Sequence, residues 1–254
     1  MREVILTANW KMHKTISEGI EFIECFKEKI SGKPKVIICP SFTALSSIKE
    51  AIGNSNLDLG AQNLFYEKQG AFTGEISPVM LKDVGAKYVI IGHSERRHIF
   101  GETDELINKK LFSAIDSDII PIFCVGETID ERQAGHTEDT IFRQITEGLK
   151  GMSKENVEKI IIAYEPVWAI GTGLNAQPEQ ASVVHRFIRD ALNKMFGEKL
   201  GESMTILYGG SIKEDNIESL GKMEDIDGGL VGGASLQCKS FLAIWEKLKA
   251  IKNI

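Results

Sequence analysis

The chain has 254 residues, 43% hydrophobic, 26% charged and 7% aromatic, which excludes a disordered or collagen-like polymer and suits one large or two ordinary globular domains. Thirty Lys plus Arg against 36 Asp plus Glu give a net charge of −6 and a pI near 5.5, so no broad positive field attracts a nucleic acid, although a local anion pocket is still allowed. The longest largely apolar stretch, around Ile119 to Val125, is far shorter than the roughly 20 residues that span a bilayer, and Val4-Ile5-Leu6 is too brief for a secretory core; a cytoplasmic protein with no membrane partner is expected.

Short runs rich in β-branched residues occur at 4–8, 35–39, 57–61, 88–92, 119–125, 160–164, 204–208 and 228–232. Most are apolar nearly throughout instead of alternating, as strands covered on both faces require, so parallel strands with helical crossovers are expected. The segments between them supply the helices. Ile16, Ile20, Ile23, Phe26 and Ile30 fall on one helical face, opened by a Thr15/Glu18 capping box. Pro178 suits a first helical turn, followed by an apolar stripe of Val183, Val184, Phe187, Ile188 and Leu192. Phe241, Ile244, Trp245, Leu248 and Ile251 repeat the pattern near the end.

Units recurring about every 32 residues match one βαβ step, and an eight-unit (β/α)8 barrel typically takes about 250 residues. An open doubly wound sheet is the competitor, but Thr7-Ala8-Asn9-Trp10-Lys11 lacks the glycines of a dinucleotide turn. An α/β fold with a closed parallel sheet, one (β/α)8 domain over 1–254, is therefore expected. Cys25, Cys39, Cys124 and Cys238 form no Cys-x-x-Cys pair, which suggests neither a zinc framework nor a dithiol centre and leaves buried free thiols as the expectation.

In such barrels the chemistry lies beyond the carboxyl ends of the strands. The polar residues there are Asn9 and Lys11, Gln62 and Asn63, His93, Ser94 and Glu95, Glu127, Glu165, Ser211, and Gly232 with Gly233. Lys11 is either a surface lysine or an amine that attracts an anion or forms a Schiff base. His93 is either a satisfied core histidine or an acid–base group, and Ser94 could be a plain helix cap. Glu165 follows an apolar run directly; emerging from a dry core makes a carboxylate a stronger base, whereas the alternative is a structural ion pair. The segment Pro166-Val167-Trp168-Ala169-Ile170-Gly171-Thr172-Gly173-Leu174-Asn175-Ala176 is stiff at its entry, apolar in its middle and glycine-rich later, which suits a lid. Gly209-Gly210-Ser211 and Gly232-Gly233 suit a phosphate cradle, because glycine lets backbone amides approach oxygens closely. Ser211 with Glu214 also fits a capping box, so the serine could serve a helix alone.

Seven ordered stretches resemble the triosephosphate isomerase family over nearly the whole chain: Ala8-Asn9-Trp10-Lys11-Met12, Gly60-Ala61-Gln62-Asn63, Gly92-His93-Ser94-Glu95-Arg96-Arg97, Cys124-Val125-Gly126-Glu127, Ala163 to Gly173, Tyr208-Gly209-Gly210-Ser211 and Val231-Gly232-Gly233-Ala234-Ser235-Leu236. The resemblance implies a TIM barrel that interconverts dihydroxyacetone phosphate and D-glyceraldehyde 3-phosphate in glycolysis and gluconeogenesis, without cofactor or metal. It implies Glu165 as base, neutral His93 as electrophile, Lys11 and Asn9 at the developing oxyanion, and Glu95 orienting the Lys11 and His93 region. It further implies that Gly171, Ser211, Gly232 and Gly233 hold the phosphate, and that Ile170 and Leu230 strip water from Glu165. The loop with Phe72 and Thr73 resembles the segment inserted into a second subunit, implying a homodimer. Two positions depart from the family pattern: Leu174-Asn175, where lysine and then threonine or a similar residue are common, and His13, where asparagine is usual. A Schiff-base aldolase using Lys11, or a non-catalytic sugar-phosphate-binding barrel, are the alternatives.

Overall fold

A computed structural model describes residues 2–169 and 176–254. Eight strands, β1 (Ile5–Asn9), β2 (Lys35–Cys39), β3 (Leu57–Ala61), β4 (Tyr88–Ile91), β5 (Ile120–Val125), β6 (Ile161–Tyr164), β7 (Ile206–Tyr208) and β8 (Gly228–Val231), pair in parallel in sequence order, and β8 closes on β1. Every expected strand is present and the open-sheet alternative is excluded. β7 starts two residues later than its apolar run because Met204 caps the short helix Leu200–Ser203.

Successive side chains of a barrel strand face opposite sides, so each strand feeds two cores. Ile5, Ile37, Cys39, Ile90, Ile122, Cys124, Leu207 and Leu230 form an inner cluster. Their alternates Leu6, Val36, Ile38, Val89, Ile91, Phe123, Ile206 and Val231 join the larger layer between sheet and helices. Both faces being dry explains why the strands read as continuous apolar runs.

The first helix, Ile16–Phe26, begins with the expected Thr15/Glu18 capping box. Its buried face is Gly19, Phe22, Ile23 and Phe26, while Ile16 is exposed, so the apolar stripe is turned from the one expected. Pro178 opens the helix Pro178–Phe196, which buries Val184, Ile188 and Leu192 but leaves Val183 outside. The last helix, Cys238–Lys252, buries Phe241, Ile244, Trp245 and Leu248.

The expectation of four free thiols is wrong for two of them. Cys25 and Cys238 are joined by a disulfide across a sequence separation of 213, whereas Cys39 and Cys124 are free and buried inside the barrel. Closure of β8 on β1 sets the first helix beside the last, where Phe22 and Phe26 both stack near Phe241, and so brings together two cysteines that spacing could not pair.

Away from the strands' carboxyl ends, the fully buried Arg189 guanidinium is shared by Asp227 at 2.7 Å, Asp225 at 3.2 Å and the carbonyls of Gly201 and Met204. Beside it His185 is also fully buried, its Nδ1 3.1 Å from the Asp225 carbonyl. Burial opposes the imidazolium and pushes its pKa down from 6.5 to about 3. The unfolded chain therefore takes up this proton first as pH falls, so the stability His185 contributes is complete above about pH 6.5 and is lost progressively toward pH 3. In urea unfolding across that window, the native protein is expected to lose about 1.4 kcal/mol per pH unit more than His185→Gln. Parallel pH profiles for the two proteins contradict this.

Candidate active site

The site is assembled where β4, β5 and β6 end side by side. Gly92 follows β4 with φ +73, and His93 then caps the short helix Ser94–His98. The His93 Nδ1 accepts the backbone N–H of Glu95 at 3.2 Å, which leaves the ring's proton on Nε2. Nε2 lies 3.0 Å from Oε1 of Glu165, the residue that follows β6. Ser94 completes the grip, donating its N–H to Glu165 Oε2 at 2.9 Å and its hydroxyl to Oε1 at 3.2 Å. Ser94 is thus no plain helix cap: both its donors serve the carboxylate. Glu165 is only 2% exposed and His93 6%, so this arrangement operates away from bulk water.

Two glycines make room for it. A Cβ on Gly126, just after β5, would sit 1.7 Å from the Glu165 carbonyl oxygen, and one on Gly209, just after β7, 2.8 Å from Glu165 Cγ. Gly126 is fixed in turn by the Gln144 amide, which accepts its N–H at 2.8 Å and donates to its carbonyl at 3.0 Å. Arg97 ties the ends of β4 and β5 together, donating to the carbonyls of Gly92 and Cys124 while pairing with Asp104 at 2.6 Å.

On the other side of the mouth, Asn9 is the last residue of β1 and its Oδ1 accepts the Lys11 N–H at 3.0 Å. Lys11 has φ +51, an uncommon backbone setting for a non-glycine residue, held by the Gln62 amide donating to its carbonyl at 2.8 Å. Its ammonium lies 2.7 Å from Glu95 Oε1. Burial raises the Glu95 pKa, but the Lys11 ammonium, by its hydrogen bond and its charge, outweighs it and holds this carboxyl below the ordinary glutamate range.

Asn9, Lys11, His93, Ser211, Leu230, Gly232 and Gly233 all line one cavity of about 410 Å³. Lys213, which the strand-end reading passed over, lines it too. The capping box of Ser211 with Glu214 is not formed: the helix there is Ile217–Gly221 and starts from Asn216, whose side chain bonds the Ser211 carbonyl. Pro166 is buried, and residues Val167–Ala169 form a 3-10 turn whose Trp168 indole donates to the buried Glu127 at 2.9 Å. Glu127 also accepts from Tyr164 at 3.1 Å and Arg132 at 3.2 Å, and Arg132 covers the Trp168 ring. Sequence reasoning placed Glu127 at a strand end but assigned it no task. Of the expected lid, Ala176 is buried, whereas Ile170, Gly171, Thr172, Gly173, Leu174 and Asn175 lie outside the described residues. Phe72 and Thr73 belong to an exposed loop, Phe72 stacking on Phe65 at 4.6 Å. Among the described residues, no group of three or more His, Cys, Asp or Glu side chains is placed to hold a metal ion.

A closed parallel barrel with a carboxylate, an imidazole and a lysine gathered at the carboxyl ends of its strands defines the class: a (β/α)8-barrel enzyme with an acid–base site. The family model described as triosephosphate isomerase matches residues 4–248. Curated proteins named triosephosphate isomerase are similar to the chain over almost its full length: 51% identical in Dictyoglomus turgidum, covering 98% of this chain and 100% of that protein; 52% in Carboxydothermus hydrogenoformans, covering 96% and 98%; and 48% in Clostridium tetani, covering 96% of each. The chain belongs to the triosephosphate isomerase family.

The Glu95 carboxyl titration, followed by carbon NMR, is expected to have its midpoint below the ordinary 4.5 and to move upward in Lys11→Met. A native midpoint at or above 4.5 contradicts the pairing. Because a lowered carboxyl pKa stabilises the fold only where the group is ionised, the Lys11–Glu95 contribution to stability is complete above pH 4.5 and lost as pH falls through the lowered value.

Proposed function

We propose that this chain interconverts dihydroxyacetone phosphate and D-glyceraldehyde 3-phosphate through an enediolate, with Glu165 as the base and uncharged His93 as the electrophile. The observation that carries this is the 3.0 Å approach of Glu165 to His93 Nε2 while Nδ1 is already an acceptor, which pairs a carboxylate base with a neutral donor. Glu165 takes the proton from the carbon beside the carbonyl, and the electron pair moves into the carbonyl as Nε2–H is offered to its oxygen. The positive Lys11, fixed by Glu95 and backed by Asn9, stabilises the oxygen charge as it forms. His93 then carries a proton from the neighbouring hydroxyl oxygen to the former carbonyl oxygen, and return of the Glu165 proton to the neighbouring carbon completes the isomerisation as the new carbonyl forms. The cavity lined by Ser211, Gly232 and Gly233 suits the phosphate, with Lys213 also in its lining.

Glu165 is held on Ser94 in this structure, so catalysis requires it to turn from those two donors toward the substrate carbon. Leu230, 3% exposed, lines the same cavity and limits water there. Residues 1–254 act as one domain in this reading, in the cytoplasm, and among the described residues no helix is long and apolar enough to cross a membrane. A homodimer is part of the proposal: besides Phe72, the large apolar side chains Met12, Ile99, Phe100, Val79 and Met80 are exposed on the isolated chain, Met12 at 95%.

Glu165→Gln is expected to lower kcat at least 10²–10⁴-fold with a modest change in KM, measured in a coupled assay with glyceraldehyde 3-phosphate; near-native turnover removes Glu165 from this role. A Schiff-base aldolase needs an uncharged amine, whereas Lys11 is ion-paired at 2.7 Å, so borohydride with substrate is expected to leave Lys11 unmodified by mass spectrometry. A reduced adduct on Lys11 favours the aldolase. Thr73→Arg is expected to lower native mass and activity together, read by light scattering and assay; a fully active monomer refutes the dimer.

A further inference from the structure

The two halves of the cysteine set sit in opposite chemical settings. Cys39 and Cys124 are sealed inside the barrel, where burial pushes both thiols up and no solvent reaches them. Cys25 and Cys238 are only half-buried, at the seam between the first and last helices. The Lys29 ammonium stands 3.6 Å from Cys25 Sγ on the exposed side. The nearest acidic neighbour in sequence, Glu24, is already paired with Lys27 at 2.7 Å. Cys238 is the first residue of the 15-residue last helix, where unpaired N–H groups favour a negative sulfur, and no acidic residue in that first turn offsets them.

Each sulfur therefore has its own stabilisation as a thiolate, which eases reduction because the thiolates released are stabilised. A disulfide serving only to brace the fold needs neither the cation nor the helix terminus. We propose that Cys25–Cys238 is a thiol–disulfide exchange site for an anionic low-molecular-weight thiol of the glutathione type, attacked at Cys25. The incoming thiolate, drawn by Lys29, bonds to Cys25 Sγ; the Cys25–Cys238 bond breaks and its electron pair leaves on Cys238 as a thiolate at the helix terminus. A second thiolate then attacks the small-molecule sulfur of the mixed disulfide and releases Cys25. The protein disulfide gains two electrons and two protons, and two small thiols become one small disulfide. Cys238 follows the turn Gly233–Leu236, whose Ser235 carbonyl accepts the Trp10 indole N–H at 3.1 Å, and Trp10 precedes Lys11.

The test uses the full-length protein, closed with oxidised glutathione and then incubated, still folded, with reduced glutathione while thiols are mapped by mass spectrometry. The bridge is expected to open, with a transient single glutathione adduct on Cys25 and with Cys39 and Cys124 unreacted. The Cys238→Ser protein, lacking the resolving thiol, is expected to accumulate that adduct on Cys25 with oxidised glutathione. Lys29→Ala is expected to slow opening about 2–5-fold at low salt, with the difference vanishing at about 1 M salt. Failure to close, opening only on unfolding, an adduct first on Cys238, or an unchanged rate in Lys29→Ala overturns the proposal.

Discussion

A carboxylate leaving a dry barrel needs donors, and Glu165 finds three: the N–H and hydroxyl of Ser94 and the Nε2–H of His93. These groups are 71 or 72 residues away in sequence and meet only because β4 and β6 flank β5 in a closed sheet. The meeting also depends on what β5 does not carry at its end. Any side chain at Gly126 would strike the Glu165 backbone, so the contact between the carboxylate and the imidazole rests on a glycine.

Around this contact stand residues whose task is to hold strand ends still. Gln144 bonds both backbone groups of Gly126 as a neighbouring strand would, Arg97 spans β4 and β5, and Glu127 gathers Tyr164, Trp168 and Arg132. Burying a carboxylate is costly unless it is hydrogen-bonded, and Glu127, at 0% exposure, takes all three of these donors on Oε1, while its Oε2 has no partner among the described residues. Elsewhere in the fold Arg189, fully buried, has all its donors taken by two aspartate carboxylates and three backbone carbonyls.

Much of this was legible in the sequence because the physics is local or periodic. Strands dry on both faces must be apolar throughout, as Tyr88-Val89-Ile90-Ile91 is, and polar residues just beyond them must line the mouth. Asn9, Lys11, His93, Ser211, Gly232 and Gly233 follow from that rule, whereas Leu230, an apolar residue within β8, came only from the family resemblance. What escaped depends on distant partners. Ser94 reads as a helix cap until Glu165 is placed above it, and Ser211 with Glu214 reads as a box until the helix is seen to begin at Ile217. Cys25 and Cys238 carry no spacing signal across 213 residues; only closure of the first helix against the last pairs them.

The most direct test of the catalytic reading is a crystal structure with a planar, anionic, phosphorylated two-carbon carboxylate, a mimic of the enediolate. The phosphate is expected on the backbone amides beside Ser211, Gly232 and Gly233, the carboxylate between His93 Nε2 and Lys11, and Glu165 released from Ser94 to face it. A mimic bound elsewhere, or a Glu165 still fastened to Ser94 with the mimic in place, contradicts the proposed base and its partner.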